Sequence, residues 1–119
     1  MCEIKEKAEN DERVFELTVG GKTVCSARTL GYGLLENITT EEHERREHYG
    51  TKLLQHIEEI AKQNEVTIMK TTDIDSKDTA AVSFFGKMGY KLEPLEKDGQ
   101  FLEGSKKLII EQVKKRAPK

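Results

Sequence analysis

One long amphipathic helix, set between two strand-like runs, constrains this chain more than any other feature. From Tyr49 to Gln63 the apolar residues Leu53, Leu54, Ile57, Ile60 and Ala61 fall on one helical face, with His56, Glu58, Glu59, Lys62 and Gln63 opposite. Before it, Leu34-Leu35-Glu36-Asn37-Ile38 reads as a strand; after it, Val66-Thr67-Ile68-Met69-Lys70-Thr71 is short and β-branched and reads as another. A strand, a crossover helix and a strand imply a parallel pair. The stretch Arg45-Arg46-Glu47-His48-Tyr49-Gly50-Thr51-Lys52-Leu53-Leu54 leads into the helix. A loop that delivers unpaired N–H groups to the positive end of a helix is a ready anion site, so a phosphate-bearing ligand is the first candidate. The charges of residues 41–47 also have a plainer reading as a solvated helix start. The anion-site reading is preferred because the amphipathic helix begins where such a loop needs it.

The remaining pattern supplies the rest of a sheet. Arg13-Val14-Phe15-Glu16-Leu17-Thr18-Val19 alternates at period two, Gly20-Gly21 signals a hairpin, and Lys22–Leu30 reads as the returning strand. Gly31-Tyr32-Gly33 breaks that run, and residues 3–8 carry a weak additional strand with Asn10-Asp11 as its turn. Asn64 is the expected left-handed cap of the helix. Residues 73–78 read as a polar loop and residues 79–88 as a second helix, with Ala81, Phe84, Phe85 and Met88 near one face and Gly89 ending it. Residues 90–95 and 106–113 read as two final strands joined by polar residues 96–104. The expected architecture is an α/β (α+β) domain: a mixed, mostly antiparallel sheet flanked by two main helices.

At 119 residues, 35% hydrophobic and 35% charged, the chain holds one domain with a modest core under a charged surface. No run is apolar enough to span a membrane and no signal-peptide pattern opens the chain, which favours the cytoplasm. Cys2 and Cys25 form no metal or redox spacing, and Cys25 reads as a buried structural thiol. His43, His48 and His56 match no common ligand pattern, so no metal site is expected. A net charge of −2 selects no nucleic acid. The basic tail from Ser105, with Lys106, Lys107, Lys114, Lys115, Arg116 and Lys119 against Glu111 alone, could touch a polyanion, but it lacks interleaved aromatics, and a solvated strand face with a frayed terminus is the preferred reading. If nucleic acid were the partner, removing the residues beyond Val113 would abolish binding at low salt.

Two stretches resemble the GCN5-related N-acetyltransferases (the GNAT superfamily). The segment from Glu36 through Arg45 and Gly50 to Thr51-Lys52-Leu53-Leu54 is similar to that family's acetyl-CoA-binding segment. There an Arg or Gln is followed by two residues, Gly, any residue, and Gly or Ala; Arg45 and Gly50 match the first and last positions. Ala81-Val82-Ser83-Phe84-Phe85-Gly86-Lys87-Met88-Gly89-Tyr90 is similar to the helix that ends, in the family, in a lysine, an apolar residue, Gly and an aromatic. Thr71-Thr72-Asp73 sits where the family's cofactor-side strand ends. The matches cover roughly residues 34 to 92. Two positions depart from the pattern: His48 stands at the first loop glycine, and Phe85 stands where many members carry a tyrosine that returns a proton to the departing thiolate. The chain is also short for the family and lacks most of its N-terminal helical region. The acceptor side would then be open, completed by a second subunit in a homodimer, or suited to a protruding lysine or terminal amine.

The resemblance implies an acetyl-CoA-dependent N-acetyltransferase that moves acetyl to a primary amine of a small molecule or peptide by direct attack. It implies that Ile38, Thr39 and Thr40 hold pantetheine through their backbone and that Arg45, Arg46, Glu47, His48, Tyr49, Gly50 and Thr51 cradle the pyrophosphate. Thr72, Phe84, Phe85 and Lys87 complete the cofactor side. Such chemistry needs a neutral amine and a polarised thioester carbonyl. Glu36, flanked by Leu35 and Ile38, is the candidate base, with partial burial expected to raise its pKa; the competing reading is a solvent-facing residue of an alternating strand. Tyr32 and Tyr49 are reserve proton donors, and Phe84 and Phe85 read equally as helix-to-sheet packing. The alternative function is a non-catalytic acyl-CoA-binding or protein-interaction domain of the same fold, kept open by His48 and Phe85.

Overall fold

A computed structural model describes residues 2–40, 49–97 and 99–109. Its elements run β1 (Cys2–Glu9), β2 (Glu12–Val19), β3 (Lys22–Leu30), β4 (Leu34–Thr40), α1 (Tyr49–Gln63), β5 (Ile68–Asp75), α2 (Thr79–Lys87), β6 (Lys91–Pro94) and β7 (Phe101–Lys107). They form one seven-stranded sheet in the order β1-β2-β3-β4-β5-β7-β6. Every neighbouring pair is antiparallel except β4 and β5, the parallel pair that the strand–helix–strand pattern demands. The fold class is therefore the mixed, mostly antiparallel α/β arrangement expected from the sequence.

The first four strands are a meander. Gly20 and Gly21 both take positive φ, +60° and +83°, as a two-residue hairpin turn matched to strand twist requires. The weak strand before them is a full one: β1 pairs with β2 from Glu9↔Glu12 to Cys2↔Val19. Its five charged residues masked the signal, since an edge strand carries charge where an inner strand would carry apolar side chains. One face of the meander is the core, with Phe15, Leu17, Val24, Cys25, Ala27, Thr29 and Leu35 buried. The other is solvated: Lys7, Glu9, Glu12, Glu16 and Arg28 surround Val14 there.

Both crossovers, β4-α1-β5 and β5-α2-β6, step the same way along the sheet, so right-handed connections put both helices on the core face. α1 packs on β2, β3 and β4, and α2 on β5 and β6. Leu53, Leu54, Ile57 and Ala61 are buried as the periodicity predicts, but so is Glu58, which the helical pattern assigns to solvent. His56 is half-buried rather than free in solvent, its ring edge-on to Phe15 with centroids 6.2 Å apart. At the end of α1 the left-handed residue is Glu65 (φ +63°), one beyond the expected Asn64. Val66 N–H reaches Ala61 O and Glu65 N–H reaches Lys62 O, the paired bonds of a Schellman cap, while Asn64 Nδ2 donates to Ile60 O instead. α2 is capped at its start by Asp78, whose carboxylate accepts from Ala81 N–H at 3.1 Å, and at its end by Gly89 at φ +94°.

The C-terminal strands lie earlier than their composition suggests. β5 starts at Ile68 and continues through Asp75, across residues that read as loop, because a bulge with Asp73 at φ +60° carries the ladder on from Thr71↔Gly104 to Ile74↔Leu102. β6 is shorter than expected, and the last described strand is 101–107 rather than 106–113, of which 110–113 lie outside the described residues. Glu103, Gly104 and Ser105 hide it. Gly104 is needed for close approach: a Cβ there would come within 3.0 Å of Leu92 and Thr71 side-chain carbons. β7 is an inner strand between β5 and β6, and among the described strands the edges of the sheet are β1 and β6.

Candidate functional site

The sheet opens where its one parallel pair parts. The β4–β5 ladder is only two residue pairs long, Leu34↔Lys70 and Leu35↔Thr71, extended at its base by Lys70 N–H to Gly33 O at 2.8 Å. Two irregularities coincide with the parting. On β4, Glu36 is the extra residue between Thr29↔Leu35 and Arg28↔Asn37; on β5, the Thr71–Ile74 bulge bends the strand the other way. Each bulge adds local twist and bend, so 36–40 and 72–75 diverge into a V. The main-chain groups of 36–40 that face β5 are left unused by it.

α1 begins at the mouth of this V. Its C-terminal end is tied to the start of β5, beside the base of the ladder, so its N-terminal end lies about 22 Å away at 1.5 Å per residue, toward the open end. The first turn, Tyr49 to Lys52, carries no acidic residue that would compete with an anion at the positive helix end. Tyr49, Gly50 and Thr51 are half-buried, and Lys52 Nζ lies 5.7 Å from the Tyr49 ring centroid. Arg45, Arg46, Glu47 and His48, the centre of the expected anion loop, lie outside the described residues.

The remaining expected site residues divide into those at the V and those away from it. Ile38, Thr39 and Thr40 follow the β4 bulge, and Thr72 faces them from the β5 bulge. Ile38 and Thr72 are half-buried and Thr39 is exposed. Glu36 sits at the apex but is exposed, so the partial burial expected of it is absent; a β-bulge turns two successive side chains, Glu36 and Asn37, to the solvated side. Phe85 is a core residue, 5% exposed, edge-on to Phe84 at 5.1 Å and to Tyr90 at 5.5 Å between ring centroids. Lys87 is at the far end of α2, in a groove between the two helices, roughly a helix length of ~13 Å from the mouth. Tyr32 lies in the β3–β4 turn, at the closed end of β4, with the Arg13 guanidinium 4.1 Å over its ring; that position removes it as a proton donor at the V.

The sequence gives no hint of the polar cluster around Glu58. Its Oε2 accepts the Tyr90 hydroxyl at 2.8 Å and its Oε1 accepts Lys106 Nζ at 2.9 Å. Burial pushes the Tyr90 hydroxyl well above the ordinary tyrosine range, reinforced by the Glu58 charge and the hydrogen bond to it. A buried glutamate on a helix face otherwise polar looks in sequence like any exposed one; only its partners, 32 and 48 residues away, reveal it. Among the described residues no group of three His, Cys, Asp or Glu side chains could hold a metal, and no helix is long and apolar enough to cross a membrane.

A seven-stranded sheet split at a single parallel joint, with both helices on one face, is the fold of solved N-acetyltransferase structures. The PaiA N-acetyltransferase of Thermoplasma acidophilum, solved with coenzyme A, superposes with a TM-score of 0.75 at 17% identity over 82% of this chain. A GNAT acetyltransferase of Elizabethkingia anophelis with acetyl-CoA bound gives 0.73 at 10% identity, over 90% of this chain and 98% of its own. The IAA acetyltransferase of Bacillus cereus gives 0.71 at 17% identity, over 82% and 79%. The chain spans 62% of the length of the Thermoplasma protein. The sequence matches no curated protein. Its residues 8–90 match the profile of the acetyltransferase (GNAT) family, and the chain belongs to that family.

Proposed function

We propose that this protein is an acetyl-CoA-dependent N-acetyltransferase that moves the acetyl group to a primary amine by direct attack. The observation that carries the reading is the V between β4 and β5, opened by a bulge on each side and leading to a helix start without acidic residues. The fit to the cofactor is chemical. The main-chain groups of 36–40 that β5 does not pair with, including those of Ile38, Thr39 and Thr40, suit the amides of pantetheine, and the first turn of α1, without an acidic residue, suits a pyrophosphate. Coenzyme A and acetyl-CoA in the similar structures agree with this.

When bound, acetyl-CoA supplies an acyl group activated as a thioester. Main-chain N–H groups of 36–40 would be the donors that polarise a thioester carbonyl held there, and the same strand edge would orient it toward the acceptor. Glu36 takes the proton from the ammonium or from a bridging water; because it is exposed, its desolvation comes from the acceptor as it docks. A thiol of ordinary pKa, about 8.5, leaves readily as the thiolate, so the missing hydroxyl at Phe85 slows the reaction without preventing it. Tyr49, in the first turn of α1, is the candidate that remains for returning a proton. The amine approaches the Glu36 side across the solvated sheet face, which suits a protruding lysine, a terminal amine or a small polyamine; a cytoplasmic setting supplies all of these.

A second reading is a non-catalytic acyl-CoA-binding or protein-interaction domain of the same fold. It is favoured by the two aromatic side chains after α2's midpoint: Phe85 has no hydroxyl and is packed away, and the hydroxyl of Tyr90 is committed to Glu58. Thiol release from acetyl-CoA, followed against a panel of polyamines, lysine peptides and peptides with free N-termini, separates the two. The enzyme reading expects saturable, amine-dependent release with at least one acceptor. Binding of acetyl-CoA with no release above the hydrolytic background for any acceptor assigns the second reading.

A further inference from the structure

The sheet consists of two halves that share one hydrophobic core but are joined strand to strand only by a short ladder. One half is β1–β4 under α1; the other is β5, β7 and β6 under α2. The strands that join them share two residue pairs, near the closed end of the V. Val66, at the end of the α1-to-β5 connection, packs beside Gly33 there: a Cβ on Gly33 would lie 3.3 Å from its Cγ1. So short a ladder at one end of two diverging strands is a hinge, and it leaves the open end without a strand-to-strand restraint. The helices do not close over this seam. An open groove of about 570 Å³ separates them, walled by Gln55, Glu59 and Lys62 on α1 and by Lys87 and Met88 on the other side.

Glu58 forms the floor of that groove and crosses the seam. It belongs to α1, in the first half; Tyr90 and Lys106 belong to the second. The Lys106 stem passes over Gly89, whose missing side chain leaves room for it (a Cβ would meet Lys106 Cε at 3.5 Å). The Glu58 side chain is 8% exposed, and each carboxylate oxygen has one donor. A buried carboxylate tolerates only a narrow range of partner distances, because an ill-placed donor leaves its charge uncompensated. A satisfied polar network therefore fixes a distance more sharply than apolar contact does.

We propose that Glu58, held by Tyr90 and Lys106, is a positioning clasp that fixes the angle between the two halves and thereby the width of the β4–β5 cleft. The clasp touches no reacting atom; it acts through the hinge on the strand edges that receive the cofactor. The inference rests on the reading of the V as the coenzyme A site.

Tyr90→Phe and Lys106→Met test it, each checked for native circular dichroism. Tyr90→Phe keeps the ring against Phe85 and removes only the bond. Coenzyme A is titrated by calorimetry into the wild type, both single variants and the double variant. Each single variant is expected to weaken binding roughly five- to twentyfold, and the double variant is expected to lose less than the product of the two. A merely structural cluster would lower the melting temperature and leave the affinity of the folded protein within twofold, which overturns the proposal. Amide exchange separates this outcome from failure of the site reading. If the wild type binds no coenzyme A, the site reading fails, while the clasp still requires faster exchange at 36–40 and 72–75 in Tyr90→Phe than in the wild type, with β2–β3 unchanged. Equal exchange at the cleft overturns the clasp.

Discussion

Two glutamates exchange the roles that their sequence surroundings suggest. Glu36, close to Leu35 and Ile38, is exposed at a bulge; Glu58, on the helix face shared with Glu59 and Lys62, is buried. The exposure of Glu36 is the competing reading of its alternating strand, whereas the burial of Glu58 was not legible, because a buried carboxylate declares itself only through distant donors. Glu36 is still the proposed base, at the apex of the parted strands. Glu36→Gln is expected to lower kcat/KM at neutral pH by about 10²-fold, the lower end for a general base, and to flatten the rise of rate with pH; an unchanged pH–rate profile would remove it from the mechanism. Tyr90 gives a stability prediction. Its raised pKa means that the fold favours the neutral phenol, so its contribution is complete below about pH 10, where the unfolded tyrosine begins to ionise, and is lost as pH rises further toward the folded value. Urea midpoints are expected to fall above about pH 10, and to fall less steeply in Tyr90→Phe.

The helices were the most legible elements, since their stripes and stop signals are local. The period of Leu53, Leu54, Ile57 and Ala61 located α1, and Gly89 ended α2, each agreeing with the buried face observed. Capping of α2 rests on one side chain, and Asp78→Ala is expected to cost about 1 kcal/mol of unfolding free energy, read from chemical denaturation. A loss under a few tenths would mean that solvent caps Ala81 N–H equally well. The strands at the two ends were least legible, for opposite reasons. β1 is an edge whose charges obscure its alternation, and β7 is an inner strand whose glycine and polar residues fit only because Leu92 and Thr71 crowd the space above Gly104. Cross-strand packing, invisible in a single sequence, decided both.

At the scale of the whole molecule, the order of patterns already implied a parallel joint and a helix start beside it, and hence the family plan. What it could not convey is that the joint is two pairs long and that bulges at Glu36 and Asp73 force it open, since neither residue carries the glycine signal that usually marks a bulge. That opening, with the helix start beside it, is the proposed coenzyme A cleft. Calorimetric titration of the purified protein with acetyl-CoA, with dephospho-CoA and pantetheine as comparators, tests this most directly. Micromolar binding is expected for acetyl-CoA (near −8 kcal/mol), nearly as tight for dephospho-CoA, which keeps the pyrophosphate, and weaker by roughly tenfold or more for pantetheine, which lacks it. No heat of binding with acetyl-CoA, or equal affinity for pantetheine, would contradict the cleft as a coenzyme A site.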